Sequence, residues 1–309
     1  MPTSTEHAEA ELDRLLRQAP SRIANASRNA HAGRVRHRRW EPARDALWDF
    51  LAPLPADGAR VAIVGAGNCD TVPLRRIARR AGDVILLDID PRAAQGARRR
   101  LGRTERRKVE VIGHDITKGV ADATILAAVD LAAGSGDAVD LGPAPDDAVA
   151  PHDPLPGAPY DLVVGDLFYS QLLYPALRDL GVDAERIDVA IADHAPALTR
   201  ATVARLHASA PLVVHIHDPL GWWAGHEPPV SIEQILDLAE RDGAEAALAL
   251  VAHGSGPRES DPRPALADLG LAPTTTALWR WPFAEGVDYL ACATLAGSTG
   301  AAGPHPPGA

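Results

Sequence analysis

Cysteine is scarce in this sequence, and basic residues are few relative to acidic ones. The 309 residues include only Cys69 and Cys292, which cannot form a disulfide framework and do not indicate a metal site. The 31 lysine and arginine residues are outnumbered by 41 aspartate and glutamate residues, so the formal net charge is -10. Because a nucleic-acid backbone is bound by a basic face, this balance argues against nucleic acid as a partner.

Long apolar runs are absent as well. No segment approaches membrane-spanning length, and the first residues, MPTSTEHAEAELDRLL, carry charges where a signal peptide would be hydrophobic. We therefore expect a cytoplasmic protein with no membrane partner. The length of 309 residues allows one large or two modest domains with an ample buried core.

The clearest pattern present is VAIVGAGNCDTVPL, residues 61–74. The apolar run 61–64 stops at Gly65 and Gly67, and a helix is predicted to open at Thr71 with Pro73 in its first turn. Glycines suit such a turn because the backbone bends sharply and no Cβ obstructs a ligand lying on it. The segment therefore predicts a strand, a ligand-binding turn and a helix.

The turn lacks the third glycine of a dinucleotide-binding fingerprint, and Asn68, Cys69 and Asp70 stand there instead. A pyrophosphate needs close approach to the helix N-terminus, so this departure argues against NAD or FAD. The next apolar run ends in Asp88, roughly 20 residues beyond the turn, where a nucleotide-binding unit places the carboxylate that binds ribose hydroxyls. A cofactor with one ribose, an adenine and no phosphate fits this pattern.

Together with VEVIGHDIT and YDLVVGDLFYS, these segments resemble the class I S-adenosylmethionine-dependent methyltransferase superfamily over residues 58–296. The resemblance implies an α/β, Rossmann-like fold with seven strands, the last two being an antiparallel pair formed by TTTALWRWPF and VDYLACATLA. It implies S-adenosyl-L-methionine as the cofactor. It also implies which residues approach each part of the cofactor: Gly65, Gly67 and Asn68 the methionine moiety, Asp88 the ribose, Asp115 and Ile116 the adenine, and Asp166 the sulfonium.

Residues 1–57 are predicted to form an N-terminal helical cap. Residues 5–18 and Glu41–Leu51 carry leucines at helical spacing, and the intervening SRNAHAGRVRHRRW is rich in arginine. One interpretation is a solvated cap. The other is a lid in which an arginine pairs with a substrate carboxylate, since the guanidinium fork suits a planar carboxylate. The candidates for that role are Arg28, Asn29 and Arg39.

Two further segments have no apolar periodicity. Residues 134–159 are dense in proline, glycine and aspartate, and they are predicted to form an acidic insertion that is either a substrate-facing flap or a disordered surface excursion. Residues 297–309 are predicted to be a disordered tail. The segment AEAALALVA, by contrast, is apolar and fits a strand or a helix equally well.

The chemistry is expected after the fourth strand, because ligands in open α/β sheets bind beyond the carboxyl ends of the strands. There the segment DLFYSQLLYPAL supplies Asp166, Tyr169, Ser170 and Tyr174. Tyr169 and Ser170 can orient an acceptor through hydrogen bonds, and Asp166 can assist its deprotonation. Tyr174 either binds the substrate or packs beside the neighbouring leucines.

The fifth strand, LVVHIHDPLGWW, is predicted to end at the same edge of the sheet. His217 is a candidate general base because a histidine ordinarily titrates near neutral pH, although a core histidine with satisfied hydrogen bonds is the alternative. Trp222 and Trp223 are predicted to line the pocket of an aromatic or apolar substrate.

The cap, the GAGNCD turn and YSQLLYP together resemble the small-molecule 3-amino-3-carboxypropyl transferases, the isonocardicin synthase-like branch. This resemblance implies that a phenolic hydroxyl of a small molecule attacks the methionine side chain and that methylthioadenosine leaves. It also implies a place in secondary metabolism such as antibiotic biosynthesis. Two alternatives stay open: O- or N-methyl transfer to a small molecule, and a non-catalytic subunit that binds a nucleoside.

Overall fold

Seven strands form one mixed sheet at the centre of the computed structural model, which describes residues 19–30, 34–54, 56–132, 153–251 and 261–297. The strands are β1 (Arg60–Val64), β2 (Asp83–Asp88), β3 (Val109–Gly113), β4 (Leu162–Asp166), β5 (Leu212–Trp222), β6 (Pro273–Ala284) and β7 (Val287–Gly297). Their order is β3-β2-β1-β4-β5-β7-β6, in which the first five pair in parallel and β7 runs antiparallel to β5 and β6. The predicted Rossmann-like, seven-stranded class I methyltransferase fold is confirmed.

Helices connect and cover the strands. The described residues before β1 form α1 (Pro20–Ala30), α2 (Arg34–Arg39) and α3 (Glu41–Leu51). The helices between β1 and β4 are α4 (Leu74–Arg80), α5 (Pro91–Arg99), α6 (Arg103–Arg107) and α7 (Val120–Ala132). The later helices are α8 (Tyr174–Asp179), α9 (Ala184–Ser209), α10 (Ile232–Asp242), α11 (Ala244–Val251) and α12 (Arg263–Asp268). The ambiguous segment AEAALALVA is therefore helical, as α11.

Side chains of the central strands alternate between two buried cores, as the strand period of two requires. One core contains Ala62, Val64, Ile85 and Leu87. The other contains Val61, Ile63, Val84 and Leu86. Because both faces of these strands are covered, their sequences are continuous apolar runs. Polar chemistry is thereby confined to the ends of the strands.

Local capping explains where two of the helices begin. Asp90 accepts hydrogen bonds from the first backbone N–H groups of α5, and Ser231 and Gln234 form a reciprocal capping box at the start of α10. The helix predicted to open at Thr71 is shorter than expected, since α4 begins at Leu74. The Thr71 hydroxyl does not cap this helix and instead donates to a buried carboxylate of β4, described below.

The described N-terminal helices pack against the sheet and its helices. The indole Nε1 of Trp40 donates to the carbonyl oxygen of Phe283 (3.0 Å), and the backbone N–H of Ser21 donates to Asp122 Oδ1 (2.9 Å). Trp40 and Leu47 are buried, so this part of the cap is not a purely solvated one.

Several predicted segments fall where nothing is described. The helix predicted over residues 5–18 lies outside the described residues, and so do residues 134–152 of the predicted insertion and the tail after Gly297. The part of the insertion that is described, residues 153–159, leads into β4 and buries Leu155. Within the described ranges, no helix combines the length and the apolar character needed to cross a membrane.

Candidate active site

A cavity of about 600 Å³ lies at the carboxyl ends of the parallel strands. Following the strand order, its wall includes Asp115 after β3, Asp88 at the end of β2, Gly65 after β1, Asp166 at the end of β4 and Asp218 in β5. The helices α1 and α2 and the β6–β7 hairpin complete the wall. The cavity is where an open α/β sheet binds its ligands.

The glycine turn after β1 is in close contact with other parts of the chain. Gly65 has φ +72°, and a Cβ there would lie 2.9 Å from the carbonyl oxygen of Asp166 and 2.9 Å from Phe168 Cβ. A Cβ on Gly67 would lie 3.2 Å from Asn29 Oδ1. The sequence pattern attributed these glycines to the space that a ligand needs. The structure adds a different requirement, because the end of β4 and helix α1 approach the turn closely.

Asp88 is fixed by backbone N–H groups on both of its oxygens. Gly67 N donates to Oδ2 and Asp90 N donates to Oδ1, each at 2.7 Å. Burial raises the pKa of Asp88 to about 6, although these two hydrogen bonds oppose the rise. Since a carboxylate has about four lone-pair sites, acceptor capacity is left for hydroxyl groups in the cavity.

Asp115 and Ile116 both line the cavity but also organise the loop after β3. Asp115 accepts from the backbone and the hydroxyl of Thr117 (2.8 Å each) and from Gly119 N (2.6 Å). The carbonyl of Ile116 accepts from the buried Arg205 of α9. These contacts hold the loop in one conformation at the β3 side of the cavity.

Asp166 is a buried carboxyl with one oxygen left free. Thr71 Oγ1 donates to Oδ2 at 2.5 Å, and Oδ1 has no hydrogen-bond partner among the described residues. Burial raises the pKa of Asp166 to about 7, and the nearby Asp88 and Asp70 charges act in the same direction. The contribution of Thr71 was missed from sequence, because its contact with β4 spans 95 positions.

Asp218 is a second carboxyl of this kind, on the neighbouring strand. The pairing of β5 with β7 shifts register between His217 and Leu220, and Asp218 within this irregularity lines the cavity. Ser170 Oγ donates weakly to Asp218 Oδ2 (3.4 Å), and Oδ1 has no partner in the described part of the chain. Burial raises the pKa of Asp218 to about 7.

His217, the predicted general base, is placed away from these groups. It is fully buried and is not among the described residues that line the cavity. Its Nε2 lies 3.4 Å from Asp261 Oδ1, beside Arg263. Burial lowers the pKa of His217 to about 4, so it stays neutral at neutral pH. Its burial matches the core-histidine alternative, but neither ring nitrogen has a hydrogen-bond partner among the described residues, so its hydrogen bonds are not satisfied as that alternative expects.

Tyr169 lines the cavity, but its hydroxyl is already hydrogen-bonded. The Tyr169 hydroxyl lies 2.5 Å from His215 Nδ1, and His215 Nε2 lies 3.0 Å from His207 Nε2. Burial raises the pKa of Tyr169 well above its usual range. Ser170 lines the cavity beside it, and Tyr174, at the start of α8, is 45% exposed at the cavity rim.

The arginine candidates are distributed differently from the prediction. Arg28 lines the cavity, but its guanidinium donates to both carboxylate oxygens of Asp179, at 2.8 and 3.1 Å. Arg39 is not among the described cavity residues. Arg36 lines the cavity and stacks 5.0 Å over the Trp40 ring. Arg36 also donates weakly to the carbonyl oxygen of Arg28 (3.4 and 3.5 Å). Neither Arg36 nor Arg178, which also lines the cavity, has a carboxylate partner among the described residues, so these two arginines are placed to bind a ligand carboxylate.

Asn29 and Asn68 are both at the cavity and hold helix α1 against the glycine turn. Asn68 Nδ2 donates to the carbonyl of Asn29 (2.9 Å), and Asn29 Nδ2 donates to Asp90 Oδ2 (3.1 Å). The cap is therefore attached to the turn and to the start of α5.

The two predicted tryptophans have different surroundings. Trp223 lines the cavity, is 39% exposed and stacks on His226 with ring centroids 4.0 Å apart. Trp222 is not among the described lining residues, and its Nε1 donates to Val230 O (3.1 Å). Further aromatic side chains of the wall, which the sequence pattern did not single out, are Trp40, Trp281, Phe283 and Tyr289.

The charge of the cavity follows from these contacts. Asp88, Asp166 and Asp218 are buried at its wall, and no described lysine, arginine or histidine side chain forms an ion pair with them. A buried carboxylate without a cationic partner is unfavourable unless a ligand supplies the opposite charge. The cavity therefore suits a ligand with positive charge and disfavours an anionic diphosphate.

We compared the chain with protein-family models, curated protein sequences and solved structures. No protein-family model matches the chain, and no curated protein sequence matches it. Solved structures do match. Magnesium protoporphyrin IX methyltransferase from Synechocystis PCC 6803, with S-adenosylmethionine bound, is 12% identical with a TM-score of 0.41, over 88% of this chain and 90% of that one. The N-methyltransferase NodS from Bradyrhizobium japonicum, in complex with S-adenosylhomocysteine, is 14% identical with a TM-score of 0.35, over 83% and 86%. A methyltransferase from Aquifex aeolicus is 11% identical with a TM-score of 0.36, over 82% and 89%.

Proposed function

We propose that this protein is an S-adenosyl-L-methionine-dependent transferase that acts on a small molecule. The observation that carries the proposal is the pair of buried carboxyl groups without a cationic partner, Asp88 and Asp166, at the strand ends beside the glycine turn of one cavity. S-adenosylmethionine has a sulfonium, an ammonium and a single carboxylate, so it brings net positive charge and no phosphate. A dinucleotide would bring negative charge against these carboxylates.

The strand order suggests how the cofactor would lie. Asp88 would accept hydrogen bonds from the ribose hydroxyls, and the ordered loop at Asp115 and Ile116 would contact the adenine. Asp166, which lines the cavity, would lie beside the sulfonium, because β4 is the next strand beyond the glycine turn. The space beside β5, β7 and β6 is then left for the acceptor.

Cofactor binding is tested by substitution of Asp88. Titration calorimetry with S-adenosylhomocysteine is expected to show binding weakened about tenfold or more in Asp88→Ala, because a charged acceptor of hydrogen bonds is lost. The matched control is Asp83→Ala, at the opposite, exposed end of β2. Its affinity is expected to stay within about twofold of wild type, since its carboxylate lies far from the cavity. Equal affinities in both variants, or comparable binding of NADH to the wild type, would overturn the proposal.

The finer proposal concerns the group that is transferred. We propose that a phenolic oxygen attacks the side-chain carbon next to sulfur, that the C–S bond breaks with its electron pair going to sulfur, and that methylthioadenosine leaves. Asp166, with a pKa raised to about 7, can take the phenolic proton in place of His217, which is not among the described cavity residues. The support is the resemblance to 3-amino-3-carboxypropyl transferases and the position of Arg36, which lines the cavity without a carboxylate partner among the described residues and can hold the carboxylate of the group that moves.

The identity of the nucleoside product separates the two chemistries. We expect methylthioadenosine in the chromatogram when the protein is incubated with S-adenosylmethionine and tyramine as a simple phenolic probe. S-adenosylhomocysteine would instead establish methyl transfer to oxygen or nitrogen. Tight cofactor binding with neither product across a panel of phenols and amines would favour the non-catalytic subunit. Placement in the cytoplasm and in secondary metabolism stays a prediction from the sequence.

A further inference from the structure

We infer that the β5 side of the cavity binds a cationic amino group of the acceptor, held by Asp218 and enclosed by aromatic rings. The inference rests on the proposed function, since it assigns the cofactor to the β3-β2-β1-β4 side. Asp88 and Asp218 are on β2 and β5, which the strand order separates by three spacings, about 14 Å. Asp218 is therefore beyond the reach expected of the ribose site and on the side left for the acceptor.

The carboxyl group of Asp218 is unusual in its surroundings. Its side chain is only 7% exposed, it lines the cavity, and its Oδ1 has no partner in the described part of the chain. The side-chain donor described beside it is Ser170, at the long distance of 3.4 Å, and the backbone N–H of Asp218 itself also contributes a hydrogen bond. No described basic side chain pairs with it. Such a carboxylate is stabilised when a ligand brings an ammonium into the cavity.

The wall around Asp218 is built from aromatic rings that close over β5. A Cβ on Gly221 would lie 2.7 Å from Tyr289 Cε1 and 2.9 Å from Trp223 Cζ3, so glycine allows both rings to approach the strand. The ring centroids of Trp223 and Tyr289 are 6.3 Å apart. The Asp218 charge contributes to the raised pKa of Tyr289, which reflects their proximity.

A carboxylate beside aromatic faces is chemically selective. Aromatic faces attract cations, and a carboxylate in a desolvated site forms a charge-assisted hydrogen bond with an ammonium. A neutral hydroxyl of the same size gains neither contribution. The site therefore selects an aromatic or apolar acceptor that carries a protonated amine, such as a metabolite derived from an amino acid.

The test compares two probes that differ in one group. Tyramine and its neutral analogue 4-(2-hydroxyethyl)phenol are titrated into the full-length protein saturated with S-adenosylhomocysteine, and quenching of the cavity tryptophans is recorded. Wild type is expected to bind tyramine about tenfold or more tightly than the neutral analogue. Asp218→Asn keeps the size of the side chain. In this variant the ratio of the two affinities, tyramine to the neutral analogue, is expected to fall to about one, while affinity for S-adenosylhomocysteine changes by less than about twofold.

Two further variants make the result specific. Asp83→Asn, at the exposed end of β2 opposite the cavity, removes one negative charge and is expected to keep the full preference for tyramine. Trp223→Leu removes a partly exposed ring of the wall and is expected to weaken tyramine binding about threefold or more.

The outcomes separate this inference from the function on which it rests. An unchanged preference in Asp218→Asn, or no measurable binding of tyramine to wild type, overturns the amine site. Loss of S-adenosylhomocysteine affinity in Asp218→Asn with the preference intact would show that Asp218 holds the cofactor instead. If wild type binds no S-adenosylhomocysteine, yet titration without it shows the Asp218-dependent preference, the amine site stands and the proposed function fails.

Discussion

Gly65→Ala will destabilise the protein by about 2–5 kcal/mol, the sum expected for a left-handed backbone and for overpacking. Gly65 has φ +72°, a conformation in which a side chain is strained. The added methyl group would lie 2.9 Å from the carbonyl oxygen of Asp166, which is backbone and cannot turn aside as a side chain could. The end of β4 must therefore move, and Asp166 with it. Chemical denaturation measures the loss, and S-adenosylhomocysteine titration measures the accompanying loss of affinity.

Gly58→Ala is the control that isolates the collision from the backbone strain. Gly58 has the same φ of +72°, but a Cβ there has nothing within 4 Å. Its substitution is expected to lower the free energy of unfolding only by the cost of a left-handed backbone in a residue with a side chain, about 1–2 kcal/mol. The difference between the two variants, about 1–3 kcal/mol, then reports the contact with β4. Equal losses in both variants would show that β4 adjusts freely, and the structural requirement for Gly65 would be withdrawn.

Gly65 also shows which parts of the site can be predicted from the sequence. Strand, glycine turn and strand-end carboxylate are local patterns, so the positions of Gly65, Asp88 and Asp166 at one edge of the sheet follow from the parallel order of the strands. The close approach of β4 to Gly65 is not local. It depends on strand pairing between segments about a hundred residues apart, and no spacing in the sequence encodes it.

The fifth strand shows where a choice by residue type misleads. His217 is the predicted general base because a histidine ordinarily titrates near neutral pH, whereas the register shift between His217 and Leu220 puts Asp218 at the cavity. The sequence does contain one local signal for this irregularity, Pro219, which cannot donate a ladder hydrogen bond within a central strand. The choice among the arginines, by contrast, has no local signal. Arg28 pairs with Asp179 of α8, which is 151 positions away, so the wall arginines without a carboxylate partner in the described part of the chain are Arg36 and Arg178.

Asp166→Asn will stabilise the ligand-free protein relative to wild type, and increasingly so as the pH rises. The pKa of Asp166 is raised from 3.8 to about 7 in the folded protein, so the folded state binds the proton more tightly than the unfolded chain does. A group with a raised folded pKa contributes stability below its unfolded pKa, and that contribution is lost as the pH rises through its folded pKa. Asparagine does not titrate, so the variant does not lose this stability as the pH rises.

The size of the effect follows from proton linkage. Between about pH 5 and about pH 8, the free energy of unfolding of the variant relative to wild type is expected to rise by about 2.5 kcal/mol. Comparison with wild type matters because buried His207 and His217, with pKa values lowered to about 4, change the stability of both proteins equally in the opposite direction. Urea titrations at several pH values measure the difference, and a difference that does not change with pH would contradict a buried, protonated Asp166.

The cofactor should reverse this gain if Asp166 faces the sulfonium. S-adenosylmethionine and S-adenosylhomocysteine differ by one methyl group and one positive charge, so any difference in the stabilisation they confer reports mainly the charge. At about pH 8, S-adenosylmethionine is expected to raise the melting temperature of wild type more than S-adenosylhomocysteine does, because its cation pairs with the ionised, buried carboxylate. In Asp166→Asn the extra rise in melting temperature with S-adenosylmethionine is expected to disappear, while S-adenosylhomocysteine still binds. A carboxyl group that destabilises the empty cavity is then explained by the positive charge that it receives on binding.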